Sequence, residues 1–304
     1  MKEIYYLFKR NVLIFLRDYS AVFFSVLSML IILLLMVVFL GKMNTDEILW
    51  VLNEYGGERD TVRDKENAEY LVQMWTLAGI LAVNTVTVSL TVMQAMIRDE
   101  VKGQSASFYV APVKRIKIAL GYILAAWAIG SGMSFFTFVI GEAYMIMQGH
   151  ELLPILAIIK VLGMIMLNAF VYAAMGYLLA LFIHSESAWG GFLTVIGTLV
   201  GFLGGIYLPL SMISDKMVAV LKCLPVLHGT AMLRGVLTEN AVEETFKGLP
   251  DMVPEMLKKE MGITLWNGDI EIDLEKQILL LLFYAIIAIT IASWVSKRRK
   301  IHDR

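Results

Sequence analysis

Apolar positions in this chain come in long unbroken runs, not in the narrow stripe of a helix with one wet face. Ala21 to Leu40 is twenty positions without a formal charge. A helix needs about 20 residues to cross roughly 30 Å of hydrocarbon, so this run has the length of a membrane span. Six runs qualify, at 20–41, 72–97, 118–147, 154–183, 188–208 and 277–296. The third and fourth are long enough to tilt or to protrude past the lipid. The expected fold is an all-α polytopic membrane protein, one domain over 1–304 with six transmembrane helices.

The segments between the runs predict the rest. Residues 1–19 mix Lys9, Arg10 and Arg17 with Ile4, Leu7, Phe8, Leu13 and Phe15, which suits a helix lying in the headgroup layer. No small-residue cleavage site follows the first run, so it reads as a retained span. Residues 42–71 are mixed in charge, with a Gly56-Gly57 break. After the fifth run, Pro209 is expected to end the helix. Ile213 to Leu224 and Thr230 to Leu237, parted by Pro225, are too short to cross; they predict re-entrant helices or an amphipathic surface pair. Asn240 to Glu260 reads as helix interrupted at Pro250 and Pro254. Alternation around Asn267-Gly268 predicts a β-hairpin with a type I′ turn, in a small insert closing the 209–276 segment.

Composition agrees with this picture. Hydrophobic residues are 58% and charged residues 17%, where a soluble domain has about 25% charged. Placement of charge matters more than the net value of -1. Lys2, Lys9, Arg10 and Arg17 precede the first span; Arg98, Lys102, Lys114, Arg115 and Lys117 follow the second; Lys297, Arg298, Arg299, Lys300 and Arg304 follow the sixth. With six spans these fall on one side, which the positive-inside rule makes the cytoplasm, with both termini there. One cysteine, Cys223, excludes an internal disulfide.

Several chemistries are absent from the sequence. It has no G-x-x-x-x-G-K-[ST] phosphate loop, no H-E-x-x-H and no C-x-x-C. His150, His184, His228 and His302 are scattered, and no nucleophile–base pair or intramembrane aspartate pair stands out. No catalytic residue, metal site, bound cofactor or nucleic-acid partner is therefore expected on this chain.

Two charges sit within runs. Glu142 lies late in the third and Lys160 early in the fourth, both toward the outer leaflet. An unpaired charge at mid-bilayer costs about 2.5–3.5 kcal/mol on insertion scales, less near the interface. Snorkelling to the headgroups or an intramembrane ion pair answers that cost; a proton relay lacks further ionisable groups inward. On the fifth run Gly197, Gly201 and Gly205 recur every four residues, a stripe that lets another backbone approach, within the chain or from another subunit.

The loop 98–117 runs from Arg98, Asp99 and Glu100 through Gly103 to Ser105, Phe108, Tyr109, Pro112 and Arg115. Ser105 is placed to cap a helix of at most two turns that ends before Pro112. This stub is either an ordinary connection or a coupling element. The loop resembles that of type-2 ABC exporter permeases: acidic residues, Glu-x-x-Gly, a short apolar helix, then Ala-Pro-Val-x-Arg, with Gln104 and Ser107 as departures. Leu7 to Asp18 resembles that family's interfacial helix. Gly204 to Leu210, Leu224 to Gly229 and Leu233 to Gly235 resemble its C-terminal signature.

The resemblance implies the membrane-spanning permease of an ATP-driven exporter, not itself an enzyme, in a bacterial cell membrane. A separate ABC ATPase would carry ATP and magnesium, and a second permease, identical or related, would complete a dimer in membrane lipid. It further implies that Arg98, Asp99, Glu100, Gly103, Phe108, Tyr109, Pro112 and Arg115 couple to the ATPase. The Gly197, Gly201 and Gly205 stripe would face the other subunit. The re-entrant segment with Pro209, Pro225 and Arg234 would cap the substrate path. An amphipathic substrate of drug, peptide, lipid or glycan class would be moved outward. The alternative is a non-transporting immunity or assembly protein whose outer insert binds a ligand.

Overall fold

A computed structural model describes residues 2–35, 41–57, 59–110 and 113–298. It is an all-α polytopic membrane protein, with one two-stranded sheet among the described residues. Five helices there are long and apolar enough to cross a membrane: Thr61–Val101, Arg115–Met147, Ile155–Ala180, Glu186–Leu203 and Leu274–Lys297. The first predicted span corresponds to α2 (Tyr19–Leu35), which carries no charged residue; its upper end, at 36–40, lies outside the described residues. Before it, α1 (Lys2–Arg17) buries Asn11 and Phe15 and exposes Tyr5, Tyr6 and Leu16.

The second crossing organises the molecule. It comprises α4 (Thr61–Val92) and α5 (Gln94–Val101), after α3 (Gly41–Tyr55). Its most apolar stretch is 83% buried, against 17% for the fifth crossing and 22% for the last. A helix that is apolar all round belongs in the middle of a bundle. Close approach is built in: a Cβ on Gly130 would fall 2.3 Å from Ser89 Oγ, and one on Gly141 2.5 Å from Leu77 Cδ1. These glycines let α7 (Arg115–Met147) lie against α4.

Several boundaries differ from expectation. The second helix begins at Thr61, not near 72. Asp60 caps it by accepting from the Val62 and Arg63 amides, and Lys65 and Glu69 approach at 3.9 Å. Charged turns thus stay helical beyond the apolar run. The third and fourth crossings, α7 and α8 (Ile155–Ala180), start within a few residues of the apolar runs.

The fifth, α9 (Glu186–Leu203), stops at Gly204, six residues before Leu210, and not at Pro209. Gly205 at φ 59° turns the chain, and the Ile206 amide donates back to the Gly201 carbonyl. Glycine terminates this helix, as at many helix C-termini.

Beyond it, α10 (Asp215–Leu221) and α11 (Pro225–Leu237) meet at 90°, a broken span or re-entrant loop by composition. Pro225 opens α11, where its missing N–H costs nothing. In the insert, α12 (Glu239–Thr245) and α13 (Met252–Glu260) are parted around Gly248 and Pro250, while Pro254 sits inside the first turn of α13.

The hairpin forms between β1 (Trp266–Asn267) and β2 (Ile270–Glu271), but its turn is shifted. Asn267 pairs with Ile270, so the loop is Gly268-Asp269, and Gly268 alone has positive φ. That is the glycine-first pattern of type II′, not Asn-Gly in type I′. The last helix, α14 (Leu274–Arg298), returns along α8 and α11.

Candidate functional site: a loop node and a buried arginine at the opposite end

At the end of α5, three consecutive side chains reach three different parts of the chain. Arg98 approaches Asp18 at 3.7 Å and Glu186 at 4.0 Å, joining the α1–α2 junction to the start of α9. Asp99 accepts two hydrogen bonds of 2.6 Å from the Arg10 guanidinium. The Tyr122 hydroxyl of α7 donates to the same carboxylate. Glu100 lies 3.2 Å from His184 Nδ1, in the turn between α8 and α9. Successive helical residues point about 100° apart, so a short run is enough to reach three neighbours.

The Arg10–Asp99 node is buried on one side only. Asp99 is 3% exposed, and a bidentate guanidinium–carboxylate pair is among the stronger polar contacts available there. Asp99 holds the Arg10 guanidinium above its ordinary range. Arg10 also donates to Asn11 and Gln104, and its guanidinium lies 5.4 Å from the Phe108 ring centre. Nearby, Lys117 bonds Glu3 at 3.0 Å and pulls that carboxylate down to about 2. A Cβ on Gly121 would meet Leu7 Cβ at 2.6 Å, so α1 lies directly against α7.

From this node the chain turns at Gly103, φ 70°, into α6 (Gln104–Val110). Ser105 falls inside the helix, not at its N-cap. Phe108 is half-buried against its own chain, while Val101, Lys102, Gly103, Gln104 and Ser107 are exposed. The carboxylates of Asp99 and Glu100 thus turn inward, and the free surface of the loop is its tip. Arg115 donates to the Ser296 carbonyl of α14. Pro112 and the Tyr109 side chain lie outside the described residues.

The opposite end is organised by Arg234. Fully buried, it donates to the carbonyls of Gly205 at 2.7 Å, Met261 at 3.1 Å and Gly262 at 3.5 Å. Its guanidinium carbon sits 4.0 Å from the Trp75 ring centre, and the Trp75 indole also donates to Met261. One side chain therefore joins α11, α4, the turn after α9 and the end of α13. Carbonyl dipoles and a π face take the place of an acid here. Pro209 is buried in the same turn.

The glycine stripe does not form one face. A Cβ on Gly197 would meet nothing within 4 Å, one on Gly201 would meet Tyr207 Cζ at 2.2 Å, and Gly205 lies past the helix end. Nor do Glu142 and Lys160 pair. Glu142 is buried and accepts from the Leu153 amide at 3.3 Å, whereas Lys160 is exposed on α8. Of the two readings the ion pair is the one not formed: the turn between the helices supplies Glu142 with a donor, and Lys160 is exposed.

Residues 58–295 match the profile described as ABC-2 family transporter protein. The chain belongs to the ABC-2 transporter family. No curated protein matches it. Membership makes it a multi-pass membrane permease of an ABC transporter, a transport subunit and not the catalytic one. The matched region begins after α3, so Arg10 lies outside it while its partner Asp99 lies within. Arg10, Tyr122, His184 and Trp75 carry these two sites yet were not among the residues expected to form them. The polar Lys9-Arg10-Asn11 break in the apolar middle of α1 was the available signal.

Proposed function

We propose that this permease works with a separate ABC ATPase on the cytoplasmic side and, paired with a second permease, moves an amphipathic substrate outward. The observation that carries the reading is the node at Arg98, Asp99 and Glu100. A push on the exposed tip at Val101–Gln104 and Ser107 passes through α5 into α4, the most buried helix of the bundle. The same three side chains relay it to α1, α7 and the start of α9. A loop that merely connected two spans would need none of these ties.

In this account Asp99 and Glu100 are transmission residues, and the ATPase contacts the tip around Lys102, Gln104 and Ser107. The positive residues on that side support a cytoplasmic position for it. Exposed apolar side chains on α9 (Val195, Leu199, Phe202) and on α2 (Phe23, Phe24) supply the surface for a second permease beside open Gly197. The Arg234 cap closes the outer end until the bundle moves.

Asp99→Asn tests this in the permease co-expressed with its ATPase. The expected result is normal copurification with loss of the permease-dependent change in ATP hydrolysis. Wild-type coupling in that variant would reduce the node to a structural brace.

A further inference from the structure

One cavity belongs to neither the node nor the cap. It lies between the start of α7 and the end of α14 and encloses about 400 Å³. Lys114, Arg115 and Lys297 stand at its helix-end rim, and among the described residues no acidic side chain lines it. From Arg115 to Ile123 on α7, and from Lys297 to Ile289 on α14, the walls run eight residues inward. At about 1.5 Å per residue the cavity is about 12 Å deep along both helices. Below the rim it is almost wholly apolar, with Ala119, Leu120 and Ala292 in its walls. The Arg115 bond to the Ser296 carbonyl ties the two helices beside it.

This polarity selects an occupant. A small anion has no use for an apolar shaft two turns deep, and a neutral lipid has none for three cations at the mouth. We propose that the cavity binds an anionic phospholipid. Its phosphate would meet exposed Lys114 and Lys297, and an acyl chain would enter between α7 and α14. Basic pockets between membrane helices on the cytoplasmic side suit such headgroups. Because α7 follows directly on α6, the bound lipid clamps the exit of the coupling loop to the last helix. The proposal rests on the membrane reading of α7 and α14, and not on an ATPase or on export.

Native mass spectrometry of the full chain in detergent tests it, with equal amounts of dioleoylphosphatidylglycerol and dioleoylphosphatidylcholine added. The wild type is expected to retain phosphatidylglycerol selectively. Lys114→Gln with Lys297→Gln, both at exposed positions, should lower that preference by about fivefold per lysine, roughly 25-fold together. Ser293→Phe, at a half-buried wall position, should reduce retention of both lipids. An unchanged preference in the double lysine variant would overturn the proposal, as would equal retention of the two lipids by the wild type. Displacement of the lipid by millimolar inorganic phosphate alone would point to a free-anion site and also overturn it. With no ATPase in the assay, a negative result here leaves the export reading standing, and loss of coupling elsewhere leaves this one.

Discussion

Arg10 and Asp99, eighty-nine positions apart, meet through two parallel hydrogen bonds of 2.6 Å. This pair fixes α1 to the end of α5, the point from which the loop 98–117 departs. Removing one partner of a buried ion pair leaves the other charge uncompensated, at about 3–5 kcal/mol. Arg10 is partly open to solvent, so the low end applies.

Arg10→Met should therefore destabilise the solubilised permease by about 3 kcal/mol. Tyr122→Phe, which removes one donor to the same carboxylate, should cost about 1 kcal/mol. Thermal unfolding in detergent reads both. The two changes share Asp99, so the double variant should lose less than the sum. Strict additivity would mean that the residues do not act as one node.

Arg234→Lys is the corresponding test at the opposite end of the bundle. A lysine lacks the planar fork that reaches three carbonyls, so charge is kept and geometry is lost. The variant should unfold at lower temperature, and 239–260 should become more sensitive to protease, because Met261 and Gly262 lose their anchor. Wild-type protease resistance would show that Trp75 and apolar packing hold the cap unaided.

Gly197 and Gly201 on α9 should behave differently. Gly201→Ala pushes on the Tyr207 ring within the same chain, and Tyr207→Ala should relieve much of that loss of stability. Gly197→Ala should leave monomer stability unchanged, since a Cβ there meets nothing within 4 Å. Gly197→Leu, inserted normally yet failing to dimerise in crosslinking, would place the second permease on this face. Wild-type dimer yield in Gly197→Leu would remove it.

Legibility followed the range of the interaction. Runs of apolar residues are local, so five of the six expected spans and the broken α10–α11 pair could be read from the sequence. The glycine stop of α9 could not, because Gly204-Gly205 also fits a helix that continues to Pro209. The turn at Gly268-Asp269 differs from the expected one by a single residue of register, which alternation alone does not set. Side-chain partners were least legible. Glu100, expected to reach a partner protein, lies beside His184; Glu142, read as snorkelling or paired with Lys160, takes a backbone amide. In both cases a group on the same chain lies nearer than the expected partner, and its proximity depends on how helices pack.

In the proposed function, the tip after Asp99 and Glu100 docks an ATPase on the cytoplasmic side. Ser107→Cys in a Cys223→Ser background, co-expressed with the partner ATPase, tests it most directly by crosslinking and by labelling from outside the cell. The account predicts a crosslink from residue 107 to the ATPase, no outside labelling there, and outside labelling at Asn267→Cys. Labelling at residue 107 from outside, or no crosslink to an ATPase that copurifies with the chain, would contradict it.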